Sequence, residues 1–281
     1  MVEETICVMF YTDKRYTKLA KVAKDSFTSF NPEIPVYVFT AKEAEKKFNI
    51  PPTAPPGIAK CMVALAQASL LSSKKVIILG CDTITCSKLD GFLNSSEDIV
   101  ATLDYPYQLV THRISSPDSE THVNADVVCF NNIQALRQVI KQSFYYPIYF
   151  EQGGLNEVIW SDKYNFTYKI IDYPYLESRV VYNARAKGNL CDNTGEKPWA
   201  RYTNLFHVID SKLFTGLHEN NPDIDKQIKI WHYCEGLGGL PEHLFQERIN
   251  WWIQKGFNEE TKSFFQNQCN AGNFFHEEFR I

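Results

Sequence analysis

The chain has 281 residues, 44% of them hydrophobic, enough to bury a substantial core in one large domain or a domain with an appendage. Its net charge of −4 offers no electrostatic basis for a nucleic-acid or membrane partner, and no apolar stretch is long enough to span a bilayer. The opening MVEETICVMFYTDKRY carries early acids and a short apolar run, unlike a secretory leader. The eight cysteines form no CxxC pair, and Cys7 and Cys129 lie in apolar runs, which reads as reduced core residues of a cytoplasmic protein.

In chain order, TICVMFYT reads as a buried strand, and YTKLAKVAKDSFTSF follows with apolar residues at helical spacing. IPVYVFT is a second strand and AKEAEKKFN a short polar helix. PPTAPPG is a proline-rich connection, and IAKCMVALAQASLL a strong helix running into the strand Val76–Leu79. VNADVVCFNN is a further strand, IQALRQVIKQSF a helix, and GGLNEVIW the core of another. Strands alternating with helices predict parallel pairing and an α/β fold, with near-continuous apolar strands in a sheet covered on both faces. From Arg185 to Gly216 the pattern breaks up into Asn, Gly, Asp and Lys, which predicts a long loop insertion. LPEHLFQERINWWIQKGF predicts a late amphipathic helix in a C-terminal helical extension over 240–281. The expected organisation is one domain over 1–281, without internal repeats.

The stretch VIILGCDTITC, Val76 to Cys86, delivers one carboxylate, Asp82, at the end of a buried strand. In open α/β sheets ligands sit beyond the carboxyl ends of the strands. Thr12 and Asp13 follow the first strand in the same way, so a shared cleft is expected. Asp82 has two readings. It caps the next turn with Thr83 and Thr85, or it holds a hard divalent cation, Mg²⁺ or Mn²⁺, whose other positions are filled by water and phosphate oxygens. The spacing gives no support to a zinc cage.

Five segments in order carry a resemblance: MFYTDKRYTKLAKVAKDSFTSF, GIAKCMVALAQASLLSSKKVIILGCDTI, VNADVVCFNN, FEQGGLNEVIW and IKIWHYCEG. Together they resemble the GT-A nucleotide-sugar glycosyltransferases, most closely glycosyltransferase family eight, over roughly Ile6 to Gly236. The resemblance implies a GT-A, Rossmann-like domain with a mostly parallel mixed sheet. The family's Asp-x-Asp metal motif falls on Gly80-Cys81-Asp82, with the first acid replaced by glycine. Its metal-binding histidine falls best on His232, with His207 in NLFHVID as the rival and a core histidine as the plain alternative. The family's diphosphate-holding lysine is not matched after His232; GEKPW, with Lys197, has the letters in the wrong place. Backbone amides at Gly236, Gly238 and Gly239 are the expected substitute.

The same resemblance assigns Tyr11, Thr12, Asp13 and Tyr16 to the uridine, Tyr16 by stacking, and Lys60 to the diphosphate. Cys81, Asn124 and Asp126 fall to the donor, with Asp126 where a small residue is usual. Glu151 and Gln152 of EQGGLN face the transferred sugar as the catalytic candidates. For Lys60 the alternative is an ordinary solvated lysine, and for Glu151 a helix N-terminal acid stabilised by the dipole. The implied reaction is metal-dependent hexosyl transfer from a UDP-sugar, UDP-glucose first and UDP-galactose second, with retention, to an unknown glycan or protein acceptor. The chain looks like the small soluble transferases of bacteria and large DNA viruses, working in the cytoplasm without stalk or membrane insertion. A sugar nucleotidyltransferase would begin with a glycine-rich loop after strand one, which FYTDKRY lacks. A non-catalytic nucleotide-sugar-binding protein with a degenerate metal site stays open as the alternative, and donor hydrolysis with and without Mn²⁺ separates the two.

Overall fold

Solid apolar runs need cover on both faces, and the central strands of this chain have it. The structure, a computed structural model, describes residues 4–103, 123–146, 150–171, 206–209, 212–216, 225–227 and 229–232, together with Glu259 and Ser263. The chain divides into two units, one of Met1–Lys14, Pro32–Cys81 and Leu89–Asp172, the other of Arg15–Asn31, Asp82–Lys88 and Tyr173–Ile281.

The first unit holds a six-stranded mixed sheet: β1 (Thr5–Tyr11), β2 (Val36–Thr40), β3 (Lys75–Leu79), β5 (Ile99–Leu103), β6 (Val123–Phe130) and β7 (Tyr168–Ile171), in the order β2-β1-β3-β6-β5-β7. β1 runs parallel to β2 and β3, and β5 to β7, while β6 is antiparallel to both neighbours. Ile6 to Met9 and Val76 to Leu79 are fully buried, as expected of strands covered on two faces. Beyond the Leu79–Val127 register the Gly80 amide donates to the Asp126 carbonyl at 2.8 Å, so the ladder continues to the start of the Gly-Cys-Asp segment.

Around this sheet stand α2 (Ala41–Phe48), α3 (Pro56–Leu71), α4 (Asp90–Leu93), α5 (Ile133–Ser143) and α6 (Phe150–Trp160). α2 begins in a capping box: the Glu43 amide donates to Thr40 Oγ1, and the Thr40 amide donates to the Glu43 carboxylate at 2.8 Å. The predicted connection PPTAPPG ends earlier than expected, because Pro56 and Gly57 already form the first turn of α3. Proline at the first helical position forfeits an amide that has no intrahelical acceptor. α6 packs so tightly on α5 that a β-carbon at Gly154 would stand 2.5 Å from the Val139 carbonyl oxygen and the Ser143 hydroxyl. Gly154 of EQGGLN therefore serves helix contact, while a β-carbon at Gly153 would meet the Tyr146 side chain at 2.6 Å.

The second unit contains α1 (Tyr16–Phe30), a two-stranded antiparallel pair of β4 (Thr83–Thr85) with β11 (Ile230–His232), and a three-stranded antiparallel sheet of β8 (Phe206–Ile209), β9 (Lys212–Gly216) and β10 (Asp225–Gln227). α1 meets β4 through the Thr85 amide, which donates to Ser26 Oγ at 3.1 Å. The predicted loop over 185–216 is corrected at its end, where β8 and β9 pair from Phe206↔Thr215 to Ile209↔Lys212. Their β-branched and aromatic residues outweigh the surrounding turn-forming composition. Residues 185–205 and the predicted helix after 240, apart from Glu259 and Ser263, lie outside the described residues. Among the described residues no helix is long and apolar enough to cross a membrane.

Candidate functional site

In the first unit the predicted residues converge on Lys60. Far from being a solvated lysine, it is only 5% exposed, on the inward side of α3. Its Nζ donates to Asp126 Oδ1 on β6 and pairs with Glu151 Oε1 on α6 at 3.3 Å. Burial opposes the lysine's charge, yet the carboxylates of Asp126 and Glu151 outweigh it and hold the ammonium above its usual range. Glu151 is pushed upward chiefly by burial, against the pull of Lys60 and with Asp126 adding to it. Burial and the neighbouring Glu151 push the Cys61 thiol up to about 12, so it is no nucleophile at neutral pH.

Glu151 lies in the first turn of α6, as the dipole reading of its position foresaw. Its carboxylate reaches across to the first turn of α3, where it fills the space a β-carbon at Gly57 would take. Gln152 faces β6: its Oε1 accepts from Asn124 Nδ2 at 3.2 Å and from the Ala125 amide at 3.4 Å. Asn124 Oδ1 accepts in turn from the Asp126 amide at 2.7 Å. The structure thus brings together Lys60, Asn124, Asp126, Glu151 and Gln152, drawn from three elements.

One residue that sequence reasoning missed organises this cluster. Asn156, fully buried, accepts from the Val123 amide at 2.8 Å and donates to the Val123 carbonyl at 2.9 Å, while also donating to the Gln152 carbonyl at 2.8 Å. It mimics a strand partner and fixes α6 against the start of β6. An asparagine amid the apolar run GGLNEVIW is the signal that was available, since a buried amide needs partners.

In the second unit Asp82 and His232 meet. Asp82 precedes β4, His232 pairs with Thr83 in the β4–β11 register, and the two are 7% and 0% exposed. His232 Nε2 stands 3.4 Å from Asp82 Oδ1. Two neighbouring ligands about 2.1 Å from an octahedral ion stand about 3 Å apart, so this pair fits the edge of such a polyhedron. The carboxylate is the donor type that Mg²⁺ and Mn²⁺ favour, and the imidazole adds a nitrogen donor. Among the described residues no group of three or more His, Cys, Asp and Glu side chains is placed to hold an ion, so the fit is to two protein ligands. His207 lies on β8.

The remaining predicted residues are placed as follows. Tyr11 ends β1, partly exposed, with Thr12 exposed and Asp13 partly exposed after it; Tyr16 opens α1 in the second unit, partly buried. Cys81 is buried, and its thiol donates to the Phe10 carbonyl at 3.6 Å, a packing contact. Gly236, Gly238, Gly239 and Lys197 lie outside the described residues.

No family model matches the sequence, and no curated protein sequence matches it. Solved structures do. The galactosyltransferase LgtC in complex with donor and acceptor sugar analogs matches at 14% identity over 95% of this chain and 95% of its own, with a TM-score of 0.48. The apo-form glycosyltransferase GlyE of Streptococcus pneumoniae TIGR4 matches at 12% identity over 95% of this chain and 63% of its own, with a TM-score of 0.47. A glycosyltransferase involved in glycosylation of the major capsid of PBCV-1 matches at 11% identity over 61% of this chain and 82% of its own, with a TM-score of 0.45. This chain is similar to glycosyltransferases.

Proposed function

We propose that the protein transfers a hexose from a UDP-sugar, UDP-glucose before UDP-galactose, to a glycan or protein acceptor, with retention of configuration. The observation that carries this reading is the buried pairing of Asp82 with His232 at 3.4 Å, directly after the strand whose sequence resembles the family's metal strand. Asp82 and His232 would hold Mn²⁺ or Mg²⁺, which when bound supplies positive charge to a departing diphosphate. Tyr11, Thr12, Asp13 and Tyr16 are assigned to the uridine, and main-chain amides near Gly236 to the phosphates. Asn124, Asp126, Glu151 and Gln152 are assigned to the sugar. In the transfer the anomeric C–O bond to the diphosphate breaks, a bond to the acceptor oxygen forms on the same face, and the acceptor hydroxyl's proton passes to the departing diphosphate. Gln152 lines the other face, and preorganised donors stabilise the charge left behind. Among the described residues Cys7, Cys61, Cys81, Cys86 and Cys129 are buried and free, which fits a reducing compartment such as the cytoplasm.

The grip of two carboxylates on Lys60 supports a second reading, a protein that binds a nucleotide sugar without turnover. Hydrolysis of UDP-glucose and UDP-galactose, with and without Mn²⁺, decides between them. Mn²⁺-dependent release of the sugar, first as the donor's own anomer by NMR, supports transfer with retention. Saturable donor binding with no release in any metal supports the binder and overturns the transferase.

A further inference from the structure

A glycine in the first turn of a long helix needs a reason, because alanine stabilises helices better. Gly57 has one that concerns the site. The space beside its α-carbon is taken by the Glu151 carboxylate, so closely that any β-carbon would overlap Oε1, Cδ and Oε2 together. One turn further along α3, Lys60 meets the other side of that carboxylate at 3.3 Å and Asp126 beyond it. The anion therefore sits at the positive end of α3, wedged between the helix backbone and the ammonium.

We propose that Gly57 is a positioning residue: its missing β-carbon forms the seat that holds the Glu151 carboxylate, and through Glu151 it sets where the Lys60 ammonium stands relative to Asp126. Glu151 in this arrangement is a seated anion that orients a lysine, and it does not attack the sugar. The inference deepens the proposed function and rests on it only for its consequence on turnover. The seat itself is a property of the fold.

The experiment compares wild type, Gly57→Ala, Glu151→Ala and the double variant. Gly57→Ala places a methyl group in the seat and is expected to lower the melting temperature by about 2–4 °C. In the Glu151→Ala background the seat is empty, so the same substitution should leave the melting temperature unchanged or raise it, as alanine replaces glycine in a helix. A matching loss in both backgrounds would overturn the seat. The side-chain ammonium resonance of Lys60, assigned by its disappearance in Lys60→Met, reads the positioning directly. Gly57→Ala should shift or broaden it while other lysine signals stay in place, and an unmoved signal would overturn the positioning role. For turnover, Mn²⁺-dependent hydrolysis of UDP-glucose should fall about tenfold in Gly57→Ala, the loss of one charge-assisted contact, and Glu151→Gln should retain measurable activity. Abolition in Glu151→Gln with wild-type rates in Gly57→Ala would make Glu151 a nucleophile and overturn the proposal. If wild type turns over no donor, the transferase reading fails, while the melting temperatures and the Lys60 resonance still decide for or against the seat.

Discussion

Replacing Lys60 by methionine removes one positive charge and keeps most of the side chain's length. It leaves Asp126 and Glu151 facing each other without a counter-charge. The three side chains are 7%, 27% and 15% exposed, so solvent screens the pair only in part. Breaking a buried ion pair by removing one partner costs about 3–5 kcal/mol, and the exposure of Asp126 puts this case near 3. At about 2–4 °C per kcal/mol for a chain this long, Lys60→Met should melt about 6–12 °C lower at pH 8. The pH profile carries a second signature. Lys60 is raised above its ordinary 10.5, so the stability its pairing contributes is complete below that pH and is lost as pH rises beyond it. Glu151 is raised above its ordinary 4.5, by burial first, so its contribution is present below 4.5 and declines as pH rises through its folded value. Lys60→Met should therefore lack the alkaline decline expected of wild type and close part of the gap to wild type near pH 4, where Glu151 takes up a proton. Thermal unfolding by circular dichroism from pH 4 to pH 11 measures both. A variant melting within about 2 °C of wild type at pH 8 would refute the reasoning and return Lys60 to the class of solvated lysines.

Asp82→Ala should abolish Mn²⁺-dependent donor hydrolysis, by about a hundredfold or more, while circular dichroism shows an intact fold; full hydrolysis by the variant removes Asp82 from the metal assignment. His232→Ala should weaken the Mn²⁺ dependence of hydrolysis more than His207→Ala, and the reverse order places the ion elsewhere. Gly80→Asp adds a second acid two residues before Asp82 and should tighten Mn²⁺ about tenfold in a titration against hydrolysis. Unchanged affinity in a well-folded variant means position 80 does not point at the ion.

Elements whose burial repeats over many residues were legible from sequence. α1 spans Tyr16–Phe30, the run predicted by apolar spacing, and β1, β3 and β6 fall on the apolar runs. Strands of three residues were not. β4 and β11 hold three residues each, too few for a period to show, and what makes them strands is their pairing with each other across the sequence. The direction of β6 was equally hidden. Alternating helices and strands predict parallel neighbours, but β6 lies antiparallel between β3 and β5, and only the sheet order exposes that.

The chemistry of the site was legible by residue type and hidden by environment. Lys60 looked like a basic helix residue because its partners lie on β6 and α6, far along the chain. The charge count then changes what Lys60 is able to do. One ammonium between two ionised carboxylates leaves a net charge of −1, and such a cluster repels a diphosphate as a whole even though it contains a lysine. Lys60 serves an anion only if Glu151 takes up a proton or if one carboxylate turns to another partner. Glu151 is raised toward protonation. Asp126, at 27% side-chain exposure, is the most open of the three. A carboxylate at position 126 therefore changes the electrostatics of the lysine, and what Lys60 is able to hold is set by residue 126 as much as by its own identity.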